Sequence, residues 1–341
     1  MRRLWRLLVN GVGLGWRPET AWLIERRTQL GFSEVIAENV NPAKPPPALA
    51  HAVERGLPVI THGVALSLGG AQKPERARIE RLARVAQVLR SPLVSEHVAF
   101  CRAGGIESPH FMPVPHTRAQ LAVLVDNVHR VMDALPVPLA LENVAAPLRW
   151  PGDELAEADF LAELLDRTGA LLLLDVANLH ANLVNFGGDL DAYLDRLPLE
   201  RIAYLHVAGG ARVETLWRDT HAHPVTTEIV DTLDRVLART GPRPLLLERD
   251  HHYGTREALE AELDVLAARL ACAGPTTHVQ RRETIELPRI NGTLRATLES
   301  QHARLFRGDA DFDPTQLAEM RSITSAKSAR MLGACRSSTT S

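Results

Sequence analysis

Six apolar runs of the sequence lead into an imidazole or carboxylate side chain. The runs are VITH, LVSEH, PLALEN, LLLLD, IAYLH and PLLLERD, and their polar residues are His62, His97, Glu142, Asp175, His206 and Glu248. A short apolar run of this kind is typical of a β-strand that is buried on both faces. Burying unpaired imidazoles and carboxylates on one side of a sheet is costly, so we expect these groups to pair or to bind metal.

Further candidate ligands lie close to these runs. Asn178 follows Asp175 by three positions, Asp219 and His221 form a D-x-H pair, and Glu38 ends another apolar run. Histidine and carboxylate without cysteine favour zinc, iron or manganese over calcium or magnesium. Each residue alone is more often structural, but their common position at strand ends favours a ligand role. Because there are more candidates than one ion needs, the sequence predicts a cluster of two or three metal ions.

Eight strand-like runs alternate with helical periodicity over most of the chain. The strands are expected near residues 8–14, 33–38, 57–62, 92–97, 137–142, 170–175, 201–206 and 244–248. Helices are expected at 74–90, 117–135, 154–168, 225–240 and 255–271, where apolar residues recur three and four positions apart. Eight strand–helix units fit an α/β fold, a closed (β/α)8 TIM barrel, better than an open sheet. The carboxyl ends of all strands then lie on one face, where the candidate ligands would meet.

The strand–helix alternation stops near Gly274 and Pro275. We therefore divide the chain into a metal-binding catalytic barrel of residues 1–274 and a short C-terminal helical appendage of residues 275–341. The appendage contains two predicted helices, 291–306 and 314–334, and a polar tail from Ser337. Two such helices bury little surface on their own. We expect the appendage to dock on the barrel, to dock on a partner or precursor peptide, or to remain partly disordered.

Composition restricts the class of function. The chain has 341 residues, of which 45% are hydrophobic, and a net charge of −2. This balance argues against a nucleic-acid binder held by a basic surface. Its three cysteines lack disulfide or zinc spacing, which indicates a reducing cytosol. No run approaches the roughly 20 apolar residues of a membrane span, and the short N-terminal apolar stretch is interrupted by Arg6 without a convincing signal-peptide cleavage site. We expect a cytoplasmic protein that does not bind membranes.

Nine motifs, in order, resemble those of the multinuclear non-heme iron-dependent oxidases, the family known from methanobactin biosynthesis. They are VGLGWRPE, FSEVIAENV, THGVALSLGG, SEHVAF, PLALENV, LLDVANLHAN, YLHVAGG, DTHAHPV and LLERD, and they cover about residues 8–272. The resemblance implies a xylose-isomerase-like TIM barrel. It also implies O2-dependent modification of a ribosomally made precursor peptide, often at cysteine, in natural-product biosynthesis. A small partner protein would present the peptide.

Carried over position by position, the resemblance assigns ligands to two or three iron ions in mixed Fe(II) and Fe(III) states. The first ion would be held by His62, His97, Glu142 and Glu248. The second would lie near both glutamates and be completed by Asp175 and His206. The third site matches Asn178, Asp219 and His221. The residues expected to be catalytic are Glu142, Asp175, His206 and Glu248, and O2 is the expected co-substrate.

Three other functions remain open at this point. The same motifs resemble endonuclease IV, a three-zinc phosphodiesterase that acts on DNA, although Asn178 stands where that family has histidine. A neutral amide donates more weakly than imidazole, so the third ion would be labile. A sugar isomerase or epimerase would usually need a catalytic lysine, and none of the three lysines lies at a strand end. The intact ligand set disfavours a binding scaffold without catalysis.

Overall fold

The computed structural model describes residues 5–213, 216–274, 285–308 and 312–324. Its strands are β1 (Val12–Gly15), β2 (Phe32–Ile36), β3 (Val59–Gly63), β4 (Val94–His97), β5 (Ala99–Ala103), β6 (Ile106–Pro113), β7 (Leu139–Glu142), β8 (Leu171–Asp175), β9 (Ile202–Val213), β10 (Leu216–His223) and β11 (Leu245–Glu248). Eight of them pair in parallel in the order β1, β2, β3, β4, β7, β8, β9, β11, and β11 closes the circle on β1. The predicted (β/α)8 barrel is confirmed.

The helices of the described residues are α1 (Trp5–Leu8), α2 (Ala21–Arg26), α3 (Pro47–Glu54), α4 (Arg76–Val88), α5 (Arg118–Ala134), α6 (Glu157–Thr168), α7 (Val176–Phe186), α8 (Leu190–Arg196), α9 (Thr227–Thr240), α10 (Arg256–Cys272), α11 (Gly292–Arg307) and α12 (314–324). Helices α4, α5, α6, α9 and α10 are those predicted from periodicity. In α9, for example, Ile229, Leu233 and Val236 form a fully buried stripe against the barrel. No helix in these described segments has the length and apolar character needed to cross a membrane.

The barrel interior is divided into an apolar and a polar layer. Ile60 and Leu246 belong to a buried apolar cluster, which Trp5 of α1 joins. His62 and Glu248 lie two residues further along the same strands. Residues two apart in a strand point to the same face, so the strands direct these polar side chains into the barrel above the apolar layer. The geometry thus explains why polar groups follow apolar runs so regularly in this sequence.

Two antiparallel hairpins extend the barrel and were not predicted. β5 pairs with β6 directly after β4, and β9 continues beyond the barrel to pair with β10. Asp219 and His221 lie on β10, so their expected position at the end of a barrel strand was wrong. The arms β6 and β10 are only partly buried and carry no continuous apolar run, which is why the periodicity did not reveal them. The first strand, expected near residues 8–14, is observed at residues 12–15.

The described part of the appendage packs on the barrel. Helix α11 buries Leu298 and Leu305, and its Arg295 forms an ion pair of 2.6 Å with Asp126 of α5. Helix α12 buries Met320. Residues 285–308 and 312–324 are therefore docked on the barrel. The predicted helix 314–334 is observed to residue 324, and its remainder, like residues 275–284, lies outside the described residues.

Candidate metal centre

The register of the barrel places predicted ligands side by side. His97 of β4 is opposite Glu142 of β7, and Asp175 of β8 is opposite His206 of β9. Asp175 also caps α7, because its carboxylate accepts a hydrogen bond of 2.7 Å from the backbone nitrogen of Asn178. All five residues are buried near the carboxyl ends of the parallel strands, where a TIM barrel carries its active site.

The first group of ligand atoms is formed by His62, His97 and Glu142. Oε2 of Glu142 lies 3.3 Å from Nε2 of His97 and 3.6 Å from Nε2 of His62. Nδ1 of His62 is 2.8 Å from the hydroxyl of Ser95. Because that contact occupies Nδ1, the other ring nitrogen of His62 is directed at the group.

The second group is formed by Glu142, Asp175 and His206. Nδ1 of His206 lies 3.1 Å from Oε1 of Glu142 and 3.8 Å from Oδ2 of Asp175. Glu142 therefore faces the first group with one oxygen and the second group with the other. A carboxylate in this position can bridge two neighbouring ions.

The third group is formed by Asp175, His221 and Glu248. Oε1 of Glu248 is 3.3 Å from Nδ1 of His221, and its Oε2 is 3.1 Å from Nδ1 of His206. The resemblance implied that Glu248 shares an ion with His62 and His97 and also lies near the second ion. In the structure its two oxygens lie beside His206 and His221.

The backbone of the β9–β10 hairpin directs His221 into the site. His221 has a φ of 51°, a left-handed conformation that non-glycine residues adopt infrequently, and the strand register shifts between Asp219 and His223. Such bulges redirect side chains and are common beside active sites. The Asp219 carboxylate contacts Nε2 of His221, so it either orients this ring or joins it in binding an ion.

The Asn178 side chain lies at the edge of the site. Its Nδ2 donates a hydrogen bond of 3.0 Å to the carbonyl of Asn143, which leaves Oδ1 as the atom available to a ligand. Asn143 in turn accepts from the backbone nitrogen of Asp175 at 2.8 Å and donates to its carbonyl at 3.0 Å. These two asparagines hold the loop after β7 against the start of α7.

The chemistry of the donor atoms fits a metal cluster. Six buried atoms make no hydrogen bond of acceptable geometry with any described residue: Glu142 Oε2, Asp175 Oδ2, Asp219 Oδ1, His206 Nδ1, His206 Nε2 and His221 Nε2. Buried polar atoms are normally satisfied, so an unsatisfied set of this size needs an explanation. Oxygen and imidazole nitrogen without sulfur are the donors that iron, zinc and manganese bind.

The acids of the site have pKa values shifted in opposite directions. Burial, with Asp219 and Glu142 nearby, raises the pKa of Asp175 well above its ordinary value. For Glu142, burial acts in the same direction, but the imidazoles of His97 and His206 outweigh it and lower the pKa to about 2. Carboxylates this close cannot all be charged without added positive charge. Bound cations would supply that charge.

A buried network beneath the site was missed by the sequence analysis. The Tyr204 hydroxyl is 2.5 Å from Oε2 of Glu34 and 2.8 Å from the hydroxyl of Ser95. Ser95 contacts His62, and Glu34 contacts His206, so the network touches ligands of two groups. A glutamate inside the apolar strand β2 was the available signal, since a buried carboxylate requires a partner.

Two other acidic residues lie beside the cluster in different roles. Asp250, which the sequence analysis also missed, pairs with Arg17 at 2.5 Å and lies 3.4 Å from Nδ1 of His221. Glu38 had been expected among the strand-end groups. It instead lies in a short 3-10 turn and accepts hydrogen bonds of 3.2 Å from the backbone nitrogen of Val64.

Comparison with family models matches residues 11–271 to the RiPP precursor modification enzymes MbnB/TglH/ChrH, where RiPP denotes a ribosomally made and modified peptide. The chain belongs to this family, which confirms the resemblance noted in the sequence. A UPF0276 protein of Streptomyces avermitilis is 48% identical over 281 residues, which cover 80% of this chain. The chain spans only 58% of the length of that relative. A UPF0276 protein of Chromobacterium violaceum is 37% identical over 259 residues, covering 74% of this chain and 92% of the relative.

Solved structures with similar folds include two enzymes with different activities. Endonuclease IV from Thermus thermophilus has a TM-score of 0.50 and 21% identity, and covers 76% of this chain and 99% of its own. A D-allulose 3-epimerase from Methylomonas sp. has a TM-score of 0.50 and 13% identity, and covers 77% of this chain and 96% of its own. At these identities the likeness shows the xylose-isomerase-like barrel fold alone.

Proposed function

We propose that this chain is a multinuclear non-heme iron-dependent oxidase that modifies a ribosomally made precursor peptide, with cysteine as the target residue. The observation that carries the proposal is the set of three overlapping ligand groups, joined by Glu142 and Asp175. Overlap of this kind suits neighbouring ions that share carboxylates. Membership of a family that modifies precursor peptides supports the substrate class.

Two or three bound iron ions, in mixed Fe(II) and Fe(III) states, would supply the redox chemistry with O2 as co-substrate. The residues of the chain would hold and orient the reactants. His62 and His97 offer neutral nitrogen donors to the first position, while Glu142, Asp175 and Glu248 bring negative charge to the positions they share. These ligands are buried, so a peptide must approach from the carboxyl ends of the strands. The barrel wall would then exclude bulk water from the reacting groups.

The rival assignment is a zinc phosphodiesterase of the endonuclease IV type. Its donor set would be similar, since zinc also binds imidazole and carboxylate. The near-neutral charge of the chain gives no electrostatic support for binding DNA.

Our proposal also includes a small partner protein that presents the precursor peptide. The genes that neighbour this one are the first place to look for the partner protein and for the peptide.

Metal analysis of the full chain tests the proposal. The chain would be purified without added metal from cells grown on labelled iron, and metal content and Mössbauer spectra would be recorded. We expect two or three irons per chain, with some of them magnetically coupled. Three zinc ions with little iron would overturn the iron assignment, and cleavage of abasic DNA without O2 would then identify the phosphodiesterase.

A further inference from the structure

A cavity lies beside the strand ends that carry the candidate metal ligands. It has a volume of about 560 Å3 and is bounded by α6, α7, α8 and the loop that follows β7. Val98, Asn143 and Leu179 line it, and each comes immediately after a predicted ligand in the chain. The cavity therefore borders the chain segments that carry His97 and Glu142 of the first group. A volume of this size is in the range of ligand-binding sites.

The cavity has apolar walls and a small set of polar groups. Leu161 and Leu183 contribute to the apolar wall, while Glu157, Asn182 and Tyr193 contribute polar side chains. Nδ2 of Asn182 donates to the carbonyl of Val144 at 2.9 Å and is 3.3 Å from the nearer oxygen of Glu157. The shorter hydrogen bond of the Asn182 amide is therefore the one to the loop that follows β7. The hydrogen-bond partners of Glu157, Asn182 and Tyr193, are uncharged groups.

Glu157 differs in its partners from Glu163 and Glu262, two largely buried glutamates on the outer helices. Glu163 pairs with Arg167 at 2.6 Å, and Glu262 pairs with Arg249 at 2.7 Å. Among the described residues, Glu157 has no arginine or lysine within ion-pair distance; its neighbours are Asn182 and Tyr193. Burial raises the pKa of Glu157 to about 7, and the opposing influence of Asn182, Tyr193 and the more distant Arg149 does not offset it.

The charges around the cavity leave a deficit of positive charge. Its charged residues are Arg149, Arg196, Asp153, Glu157 and Asp189. Arg196 is paired with Asp159 at 2.6 Å, and the guanidinium of Arg149 lies 4.9 Å from the ring centre of Phe186. Burial and nearby Arg149 lower the pKa of His116, another lining residue, to about 4, so it is neutral at pH 7. Because Arg196 is paired with Asp159, Arg149 is the guanidinium that remains for Asp153, Glu157 and Asp189, and a cationic ligand would reduce this imbalance of charge.

We propose that this cavity binds a lysine or arginine side chain of the peptide substrate. The aliphatic part of the side chain lies against the apolar wall, and its cationic end pairs with Glu157. The volume leaves room for the adjoining peptide backbone. The substrate class rests on the proposed function, but the binding step requires neither iron chemistry nor a cysteine.

Peptide binding to the full chain as purified tests this site. The probes are fluorescent capped hexapeptides with serine at the third position and one lysine at each of the other positions in turn, compared with norleucine at the same position. The variant is Glu157→Gln, and the matched control is Glu154→Gln, an exposed residue just before α6 that does not line the cavity. Dissociation constants are measured by fluorescence anisotropy.

We expect lysine at one position to bind about tenfold tighter than norleucine to the wild type and to Glu154→Gln. The preference should disappear in Glu157→Gln, while the norleucine peptide binds that variant as before. Equal binding of both peptides to the wild type, or a lysine preference that survives in Glu157→Gln, would overturn the proposal. An arginine and citrulline pair repeats the wild-type comparison without mutation, since citrulline is neutral and similar in shape.

Two further outcomes distinguish failure of the proposed oxidase function from failure of the proposed cavity site. If the lysine preference holds but a cysteine hexapeptide is not oxidised with iron and O2, the cavity is supported and the oxidase is not. If cysteine is oxidised while lysine and norleucine peptides bind equally, the oxidase is supported and this cavity does not recognise a cation.

Discussion

Oε1 of Glu34 lies 3.0 Å from Nε2 of His206, inside the barrel where both side chains are buried. The other nitrogen of the ring, Nδ1, faces Glu142 and Asp175. An acid that contacts the outer nitrogen of a histidine commonly fixes the ring orientation and raises its basicity toward a metal. Glu34 thus selects the His206 nitrogen that is available to the cluster. Glu34 itself follows no apolar run and belongs to none of the three ligand groups.

Replacing Glu34 should therefore weaken metal binding without removing a ligand. For Glu34→Ala we expect iron affinity to fall about 10- to 100-fold, as is usual when the acid behind a ligating histidine is lost. Affinity would be measured by competition with a coloured iron chelator. Glu38→Ala is the matched control, because this glutamate bonds to the backbone of Val64. Equal affinity in Glu34→Ala and the wild type would show that His206 does not depend on this contact.

Replacing Glu142 should remove more than one ion. Its two oxygens face separate ligand groups, at 3.3 Å from His97 and 3.1 Å from His206. We expect Glu142→Ala to lose about two ions per chain and His62→Ala about one, because His62 belongs only to the first group. Elemental analysis of the purified variants gives the counts. A Glu142→Ala protein with full iron content would refute the shared-carboxylate arrangement.

The barrel and most of the site could be predicted because both depend on strands buried on two faces. Such strands produce apolar runs, and parallel pairing brings their carboxyl ends to one face. This is why the runs ending near His62, Asp175 and Glu248 indicated both the fold and the convergence of these residues. The strand β9 was predicted only to residue 206 because its continuation leaves the barrel.

Features that depend on tertiary contacts could not be predicted. Glu34 lies within its strand instead of at the end, and only the closed barrel shows that it faces His206. The conformation of His221 arises from a shift in the β9–β10 register, which has no periodic signal. The position of Glu248 between His206 and His221 likewise depends on the positions of individual oxygen atoms.

The hairpin that carries His221 offers a way to perturb the third group alone. A Cβ atom on Gly210 would lie 2.4 Å from Nε1 of Trp217 and 2.8 Å from the carbonyl of Arg218. Gly210 is paired with Asp219 in the strand register, so Gly210→Ala would displace β10 near the site. We expect about 1–3 kcal/mol of destabilisation from this overpacking and loss of the third ion, with the others retained.

Thermal unfolding and metal content of Gly210→Ala measure these effects. Gly274→Ala is the control, since a Cβ there would meet no described atom within 4 Å. Loss of all ions in Gly210→Ala, or of none, would contradict the independence of the third group.

The docking of α11 contains a buried histidine that belongs to none of the three ligand groups. The ring of His302 stacks on Phe100, with centres 4.2 Å apart, and Nε2 is 3.0 Å from the amide oxygen of Gln120. Nδ1 is buried without a hydrogen-bond partner among the described residues. Burial lowers the pKa of His302 to about 3, because a charged imidazole would lose its hydration.

A decrease in pH should therefore lower the free energy of unfolding through His302. An unfolded histidine has a pKa of about 6.5, so between pH 6.5 and 3 the unfolded chain binds the extra proton and stability falls as pH decreases. Between pH 7 and pH 5 we expect the free energy of unfolding of the wild type to fall by about 2 kcal/mol more than that of His302→Gln. Urea unfolding at both pH values measures the difference, with His129→Gln as an exposed-histidine control. The same acid-dependent loss in His302→Gln and the wild type would mean that another group is responsible.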